Sequence, residues 1–202
     1  MKISLQDVGK RYNREWIFRH FNFEFSGTGS YAITGANGSG KSTLLQVIAG
    51  ATMHSEGKLI YEKQDGSHTP DPYNLISVAA PYLELIEEFT ATEFLQFHAG
   101  FKKLTNSIDD ILQSVNLEKA AQKQIRYFSS GMKQRLKLAQ AFFSESDVLF
   151  LDEPTTNLDS EGTELYQNLV KNYAGNRLLI IGSNVPEEYS FCEEVIKMEN
   201  FK

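Results

Sequence analysis

Cysteine is nearly absent from this 202-residue chain, and basic side chains are in the minority. The single Cys192 permits no internal disulfide, which suits a reducing cytosol, and we interpret it as a partly buried packing residue. The 20 basic and 26 acidic side chains give a net charge of -6, which argues against a nucleic-acid partner. The N-terminus lacks the apolar core of a signal peptide, and no apolar run approaches the roughly 20 residues that a bilayer span needs. A membrane role would therefore have to come through a partner.

The distribution of apolar residues predicts an α/β fold in a single domain, residues 1–202. Short apolar or alternating stretches indicate strands at residues 2–8, 16–25, 30–34, 58–62, 75–80, 148–151 and 178–181. Helical spacing is found at residues 44–49, 92–101, 108–115, 118–124 and 161–172. This alternation predicts a mainly parallel sheet, with a helical subdomain at about residues 82–136 inserted into it.

The most informative motif is GANGSGKST at residues 35–43, which fits the phosphate-binding loop pattern G-x-x-x-x-G-K-[ST]. It lies between a predicted strand and a predicted helix, so backbone N–H groups and the positive end of the helix should meet phosphate oxygens. We expect Lys41 to reach the β- and γ-phosphates and Ser42 to hold Mg²⁺. The expected nucleotide-binding residues are Gly35, Ala36, Asn37, Gly38, Ser39, Gly40, Lys41, Ser42 and Thr43.

A second acidic motif follows the predicted strand at residues 148–151. An apolar strand that ends in acid delivers its carboxylates to the carboxyl edge of the sheet, where ligands of such sheets bind. We expect Asp152 to position Mg²⁺ through water, and Glu153 to act as the general base on the attacking water. Together with the phosphate loop, the motif predicts a nucleoside triphosphatase.

The stretch FSSGMKQRLKLA at residues 128–139 resembles the signature motif of the ATP-binding cassette (ABC) ATPases, usually L-S-G-G-Q. Residues 155–159, TTNLD, resemble the D-loop of the same family. These motifs and the phosphate loop cover almost the whole chain, from Tyr12 to Asn184, and their combination is specific to that family. The resemblance implies an ABC-type P-loop NTPase core with a mainly parallel sheet, an N-terminal antiparallel β subdomain and the inserted helical subdomain.

The resemblance also implies that ATP lies between two chains, in a homodimer or a heterodimer. Ser129, Ser130 and Gly131 of one chain would face the γ-phosphate of ATP bound by the other chain, and Asp159 would communicate between the two sites. Tyr12 is placed where the family has the aromatic side chain that stacks on adenine. Trp16 is the alternative for this role.

Two positions where the family has a contact to the γ-phosphate depart from its pattern. Pro81 replaces the glutamine that senses the γ-phosphate and Mg²⁺, and Asn184 replaces the histidine that contacts the γ-phosphate. Asparagine can hydrogen-bond a phosphate oxygen but cannot carry a charge or a proton as histidine can. We therefore expect an ATPase that retains Glu153 and Lys41 as catalytic residues, with Asn184 as a weaker third, and hydrolyses ATP slowly.

Three functions remain open at this point. The first is the ATPase subunit of an ABC transporter, cytoplasmic and held at the inner face of the membrane by a separate permease, part of which would dock near residues 82–89. Ordinary packing of that apolar stretch is the alternative. The second function is a nucleotide-gated regulator or assembly factor with little hydrolysis. The third is an ABC ATPase that acts on nucleic acid or ribosomes, which the acidic composition disfavours.

Overall fold

The computed structural model describes residues 1–201. In chain order its strands and helices are β1 (Lys2–Tyr12), β2 (Glu15–Ser26), β3 (Ser30–Thr34), α1 (Lys41–Ile48), β4 (Glu56–Glu62), β5 (Ile76–Ala79), α2 (Ala91–Ala99), α3 (Ile108–Ser114), α4 (Ser130–Phe142), β6 (Val148–Asp152), α5 (Ser160–Tyr173), β7 (Leu178–Gly182), α6 (Pro186–Tyr189) and β8 (Glu194–Lys197).

The central sheet has five parallel strands in the order β5-β6-β7-β3-β8. Every residue of β6 and β7 is buried, which explains why both strands are continuous apolar runs in the sequence. The carboxyl ends of β3, β5, β6 and β7 lie along one edge of this sheet, because the strands are parallel neighbours. The residues that follow these strands therefore converge at that edge.

A second sheet is antiparallel, with the strand order β2-β1-β4. Phe18, Phe21 and Phe25 of β2 are completely buried, while Phe23 is partly buried and meets Tyr31 edge-on, with ring centroids 5.8 Å apart. The phenylalanines of β2 are thus part of the core packing. The core beneath this sheet includes Leu44 and Ile48 of α1, so the antiparallel sheet supports the helix that follows the phosphate loop.

Helices α2, α3 and α4 lie in the chain between β5 and β6 and share one apolar core with β6. The hydroxyl of Thr90 caps α2 in a capping box with Glu93, and the hydroxyl of Ser107 caps α3. The prediction of a helix at residues 118–124 is wrong. Only Glu118–Ala120 forms a short 3₁₀ turn, because Leu117 is buried and the chain turns there toward α4 instead of continuing as a helix.

Strand β8 was not expected from the sequence. It is a short edge strand, and of its residues only Ile196 is buried, so its apolar signal is weak. Cys192, just before it, is partly buried as expected, and burial raises the pKa of its thiol to about 12. Within residues 1–201, no helix combines the length and the apolar character that crossing a membrane requires.

Candidate nucleotide-binding site

The phosphate loop connects β3 to α1 at the carboxyl edge of the parallel sheet. Gly35, Gly38 and Gly40 all have positive φ angles, of 146°, 78° and 104°. At Gly40 a Cβ atom would also lie 2.7 Å from the side chain of Ile17, so a larger residue would meet both backbone strain and a steric clash. The three glycines therefore give the loop the tight path that its sequence motif predicts.

Lys41 begins α1 and is only 5% exposed. Its ammonium group donates hydrogen bonds to the carbonyl oxygens of Gly35, at 2.7 Å, and Ala36, at 3.5 Å. These bonds hold the cation inside the curve of the loop, and the ammonium also interacts electrostatically with Asp152. Lys41 is therefore placed to meet an anion bound by the loop.

Asp152 ends β6 and is buried, yet neither of its carboxylate oxygens has a hydrogen-bond partner among the described residues. Burial raises the pKa of this carboxyl to about 6, the charge of Glu153 raises it further, and the neighbouring Ser42 hydroxyl and Lys41 ammonium oppose the shift. Glycine at position 182 leaves room for the Asp152 carboxylate, because a Cβ there would lie 2.9 Å from Asp152 Oδ1. An unpartnered buried carboxylate beside a serine hydroxyl fits Mg²⁺, which prefers oxygen ligands.

Asp152→Asn is expected to stabilise the protein without ligands by about 1–2 kcal/mol at pH 7. A pKa raised from 3.8 to about 6 corresponds to about 3 kcal/mol, and the buried amide, itself without partners, keeps part of that cost. Because the folded-state pKa is the higher one, the penalty is absent below about pH 4, grows as pH rises to about 6, and is constant above it. Thermal melts at pH 4 and pH 7 measure the difference.

The control for this comparison is Asp109→Asn, in the exposed first turn of α3. It should show no comparable pH-dependent gain. If Asp152→Asn were no more stable than the wild-type protein at pH 7, with the control unchanged, the buried carboxylate would not destabilise the folded state.

Glu153 has a φ angle of 45°, which is unusual for a residue other than glycine and directs its side chain away from the path of β6. Its carboxylate lies 3.4 Å from the Thr156 hydroxyl. With the phosphate loop, Glu153 lines a cleft of about 220 Å³, whose lining residues are Ile17, Asn37, Gly38, Gly40, Lys41, Ser42, Thr43 and Glu153. The structure thus brings the predicted base to the predicted phosphate site.

Asn184 follows β7 and contacts the phosphate loop. Its Oδ1 accepts a hydrogen bond from the Gly35 N–H at 3.0 Å, and its Nδ2 lies 3.4 Å from Asn37 Oδ1. The residue at the position of the family histidine is therefore next to the loop, as expected, and its amide bridges two loop residues.

The signature residues lie at the N-terminus of α4. The Ser129 hydroxyl caps the helix by accepting a hydrogen bond from the Met132 N–H at 3.2 Å, and Ser130 and Gly131 begin the first turn. Asp159 caps α5 through the Gly162 N–H at 2.8 Å. These groups line a second cleft of about 320 Å³, formed by Ser129, Ser130, Gly131, Met132, Arg135, Asn157, Leu158 and Asp159.

The two clefts have no lining residue in common. The structure therefore separates the predicted nucleotide contacts into two groups, the phosphate loop with Asp152, Glu153 and Asn184, and the signature with Asp159. Arg135 joins the second group, because its guanidinium lies 3.6 Å from the Asp159 carboxylate.

The two aromatic candidates for adenine differ in their surroundings. Tyr12 is 47% exposed, and the Lys10 ammonium lies 4.7 Å from its ring centroid. The ring of Trp16 already contacts two guanidinium groups, those of Arg11 at 5.3 Å and Arg19 at 4.2 Å. Neither ring lines the phosphate-loop cleft. The cleft-lining residue nearest to them in the sequence is Ile17.

Pro81 stands just beyond the end of β5, at the edge where the other site residues meet. Lys137 of α4 donates hydrogen bonds to the carbonyl oxygens of Pro81, at 2.8 Å, and Ala80, at 3.3 Å. Since α4 begins at the signature, these bonds connect the loop after β5 to the signature helix.

Three residues at the site did not emerge from the sequence. Gln46 lies one helical turn after Ser42 on α1, and the i,i+4 spacing was the available signal. Tyr82 approaches Gln46 and Asp152 from the loop after β5. Glu188 is buried on α6, and its carboxylate accepts hydrogen bonds from the N–H, at 2.8 Å, and the hydroxyl of Thr155. It thereby fixes the segment that follows Glu153.

The parallel sheet, the glycine loop and the acidic strand end define a P-loop nucleotide-binding protein. Residues 18–156, more than half of the chain, match the ABC transporter family model, and the chain belongs to that family. With the signature and D-loop motifs at a common cleft, it is an ATP-binding cassette of the transporter type.

The similar proteins carry corresponding names. The uncharacterized ABC transporter ATP-binding protein YybJ of Bacillus subtilis is 26% identical, over 98% of this chain and 93% of its own length. The similarly named YxlF of Bacillus subtilis is 30% identical, over 98% of this chain and 68% of its own length. The zinc import ATP-binding protein ZnuC of Wigglesworthia glossinidia brevipalpis is 31% identical, over 86% of this chain and 71% of its own length.

Solved structures show the same fold. A putative ABC transporter ATP-binding protein from Pyrococcus furiosus superimposes with a TM-score of 0.83 at 18% identity, over 100% of both chains. The dimeric cassette MJ0796, in a post-hydrolysis state bound to ADP and Pi, superimposes with a TM-score of 0.84 at 22% identity, over 96% of this chain and 93% of its own.

Proposed function

We propose that this protein is the ATP-hydrolysing subunit of an ABC transporter, which dimerises on ATP and drives a separate membrane permease. The observation that carries the proposal is the separation of the nucleotide contacts into two clefts on one chain. Each cleft alone is an incomplete site. Two chains arranged head to tail would complete two sites, because the phosphate-loop cleft of each would meet the signature cleft of the other.

In such a site Lys41 and the loop N–H groups bind the β- and γ-phosphates, and Ser129 and Ser130 of the second chain add donors at the start of α4. Ser42 and Asp152 hold Mg²⁺, which neutralises charge on the phosphate oxygens when it is bound. The contacts from the second chain require the γ-phosphate, so ATP closes the dimer more strongly than ADP does. Asp159, hydrogen-bonded at the start of α5, connects the two sites.

Glu153 is the proposed general base for hydrolysis. Its carboxylate takes a proton from the water that attacks the γ-phosphate, and Asn184 hydrogen-bonds a phosphate oxygen from the loop side. Asn184 cannot supply the charge of a histidine, and loss of one such contact costs roughly 10²–10³ in rate. We therefore propose slow turnover for the isolated subunit.

The adenine ring stacks on Tyr12 in this proposal. Support comes from the exposure of Tyr12 and from Trp16, whose ring already interacts with Arg11 and Arg19. Stacking of a base on an aromatic side chain contributes about 1–3 kcal/mol and is tolerant of base identity.

The permease would dock at the loop that follows β5. A cleft of about 370 Å³ lies there, lined by Pro81, Leu83, Glu84, Leu85, Glu87, Lys133 and Lys137. Leu85 and Phe89 also pack against the core of the helical segment, so part of this apolar stretch serves packing, as the alternative interpretation held. A membrane subunit bound here would hold the protein at the cytoplasmic face of the membrane and would determine the cargo.

The second candidate function is a nucleotide-gated regulator with little hydrolysis, and Pro81 and Asn184 are the observations in its favour. The relatives favour transport over this candidate. They are named as ATP-binding proteins of transporters, including one for zinc import and one for Nod factor export. We expect this chain to serve a transporter in the same way.

Gel filtration and phosphate-release assays on the purified protein test the proposal. Mg·ATP should convert the monomer to a dimer, Mg·ADP should not, and phosphate should be released slowly. A monomer under all conditions would contradict the shared site. If the protein and its Glu153→Gln variant released phosphate at the same negligible rate, with and without a permease, the enzymatic part of the proposal would fail.

A further inference from the structure

The backbone just after the proposed general base is held by side chains from two other helices. Glu153 itself has a φ angle of 45°, in the left-handed region, where a residue other than glycine is strained by about 1–3 kcal/mol. Such a conformation persists only where the surrounding structure holds it in place. The bonds to the residues after Glu153 therefore bear on where its carboxylate lies in the phosphate-loop cleft.

The first of these bonds comes from the signature helix. Gln134 of α4 is only 3% exposed, and its Nε2 donates a hydrogen bond to the carbonyl oxygen of Pro154 at 2.8 Å. Gln134 lies one turn after Ser130, where α4 begins. The first turn of α4 is also close to the same segment, since a Cβ at Gly131 would lie 3.1 Å from the Asn157 carbonyl oxygen. The signature helix therefore packs directly on the segment that follows the base.

The second set of bonds comes from α6. Glu188 is 2% exposed, and its Oε1 accepts hydrogen bonds from the Thr155 N–H, at 2.8 Å, and from the Thr155 hydroxyl. The backbone carbonyl oxygen of Glu188 accepts a hydrogen bond from the Tyr166 hydroxyl of α5 at 2.7 Å, so α6 is itself fixed to α5. Asn184, which contacts the phosphate loop, precedes Glu188 in the same part of the chain.

The Glu188 carboxylate is only half paired. Its second oxygen, Oε2, is buried and has no hydrogen-bond partner within residues 1–201. A buried acceptor left unpaired destabilises a fold by about 1–3 kcal/mol. A buried carboxylate that holds one threonine at this cost calls for an explanation other than stability, and its place beside the base supplies one.

We propose that Gln134 and Glu188 are positioning residues for the general base. Together they fix Pro154 and Thr155, and through this backbone they hold the Glu153 carboxylate where it can take the proton of the attacking water. Neither side chain lines the phosphate-loop cleft, so both act through Glu153 and not on the nucleotide. This inference rests on the proposed function, because it assigns a role within the same hydrolytic site.

Through Gln134 the base is also connected to the signature cleft, which is lined by the next residue of α4, Arg135. In the proposed dimer the signature cleft of a chain meets the nucleotide of the other chain, while Glu153 serves the nucleotide of its own chain. The base of one site is then fixed to the helix that contacts the nucleotide of the other site.

Gln134→Met tests the inference, because it removes the amide donor and keeps the length of the side chain. We expect kcat for ATP hydrolysis to fall about tenfold to 100-fold, since misplacing a reacting group by about 1 Å has an effect of up to that size. Mg·ATP affinity should stay within about twofold of wild type. Without nucleotide, hydrogen exchange of residues 153–156 should become about fivefold faster, the size of one hydrogen bond.

Gln124→Met is the matched control for Gln134→Met. The Gln124 amide likewise donates a hydrogen bond to a backbone carbonyl, that of Glu88, at 3.1 Å, and it lines neither nucleotide cleft. The control should leave kcat, ATP affinity and the hydrogen exchange of residues 153–156 unchanged.

Glu188→Leu and Glu188→Gln form an independent pair, which decides the question if Gln134→Met does not fold. Leucine removes the acceptor for Thr155 and should reproduce both the loss of kcat and the faster exchange. Glutamine keeps an oxygen that can accept the two bonds from Thr155. Its kcat should therefore exceed that of Glu188→Leu by about fivefold or more.

Three outcomes would count against these assignments. Wild-type kcat in Gln134→Met and Glu188→Leu would overturn the inference. Parallel losses of kcat and ATP affinity would also overturn it, because they would indicate general damage to the fold and not a misplaced base. A wild-type protein that binds ATP but releases no phosphate would refute the proposed function, and the inference with it.

Discussion

Lys41→Ala is expected to weaken ATP binding by about 100-fold or more, which corresponds to about 2.7 kcal/mol. A charge-assisted hydrogen bond to phosphate alone contributes about 1.5–3 kcal/mol. The variant also removes the donor that holds the carbonyl groups of Gly35 and Ala36 inside the loop. Both effects act on the same loop, so the loss should be near the upper end of that range. Isothermal titration with ATP measures it.

Lys103→Ala is the control for Lys41→Ala. The Lys103 side chain is 80% exposed and pairs with Glu145 at 3.1 Å, and it lines neither nucleotide cleft. Its removal should leave ATP affinity within about twofold of wild type, since surface ion pairs contribute little. Retention of wild-type ATP affinity by a well-folded Lys41→Ala protein would contradict the assignment of the phosphate loop.

The parallel sheet was predictable because its strands are buried on both faces. β6 and β7 are uninterrupted apolar runs, and such runs leave little choice of structure. The structure of the segment from Leu117 to Gln124 was predicted wrongly. Its charged and small residues favour a helix locally, but the burial of Leu117 and Ile125 on either side fixes a turn instead. Local preference cannot anticipate that constraint, which comes from tertiary packing.

The candidate site was predictable where its chemistry is contiguous in sequence. The phosphate loop and the acidic strand end each carry their function within a few residues, so spacing alone located them. Tyr82 and Gln46 are 36 positions apart in the sequence, and only the fold brings them close enough to interact. Similarly, Glu188 supports Thr155 from another element. Contacts of this kind depend on the fold.

The two clefts also explain why the departures at Pro81 and Asn184 need not abolish function. Neither residue lines the signature cleft, and Asn184 is hydrogen-bonded to the loop at Gly35. The groups proposed to bind phosphate and the groups proposed to close the dimer are therefore retained. In the proposed mechanism the departures affect the rate of the chemical step more than the binding of ATP.

Glu153→Gln is expected to reduce ATP hydrolysis by about 10²–10³-fold and to give a dimer that persists with Mg·ATP. Glutamine keeps the size of the side chain but cannot accept the proton of the attacking water, and general-base catalysis contributes roughly that factor. ATP that is not consumed continues to hold the two chains together, and the amide removes a negative charge beside the γ-phosphate. Phosphate release and gel filtration on the same sample measure both effects.

The two readouts separate a catalytic role from a structural one. A variant that merely disturbed the fold would lose hydrolysis and the dimer together, whereas loss of the base should abolish turnover and strengthen the dimer. Glu145→Gln is the matched control, because its carboxylate is 62% exposed and lines neither nucleotide cleft, and it should behave as wild type. If the Glu153→Gln variant hydrolysed ATP at the wild-type rate, Glu153 would not be the general base and another group would have to take that role. A monomeric Glu153→Gln protein at saturating Mg·ATP would show that the two clefts do not meet across a dimer.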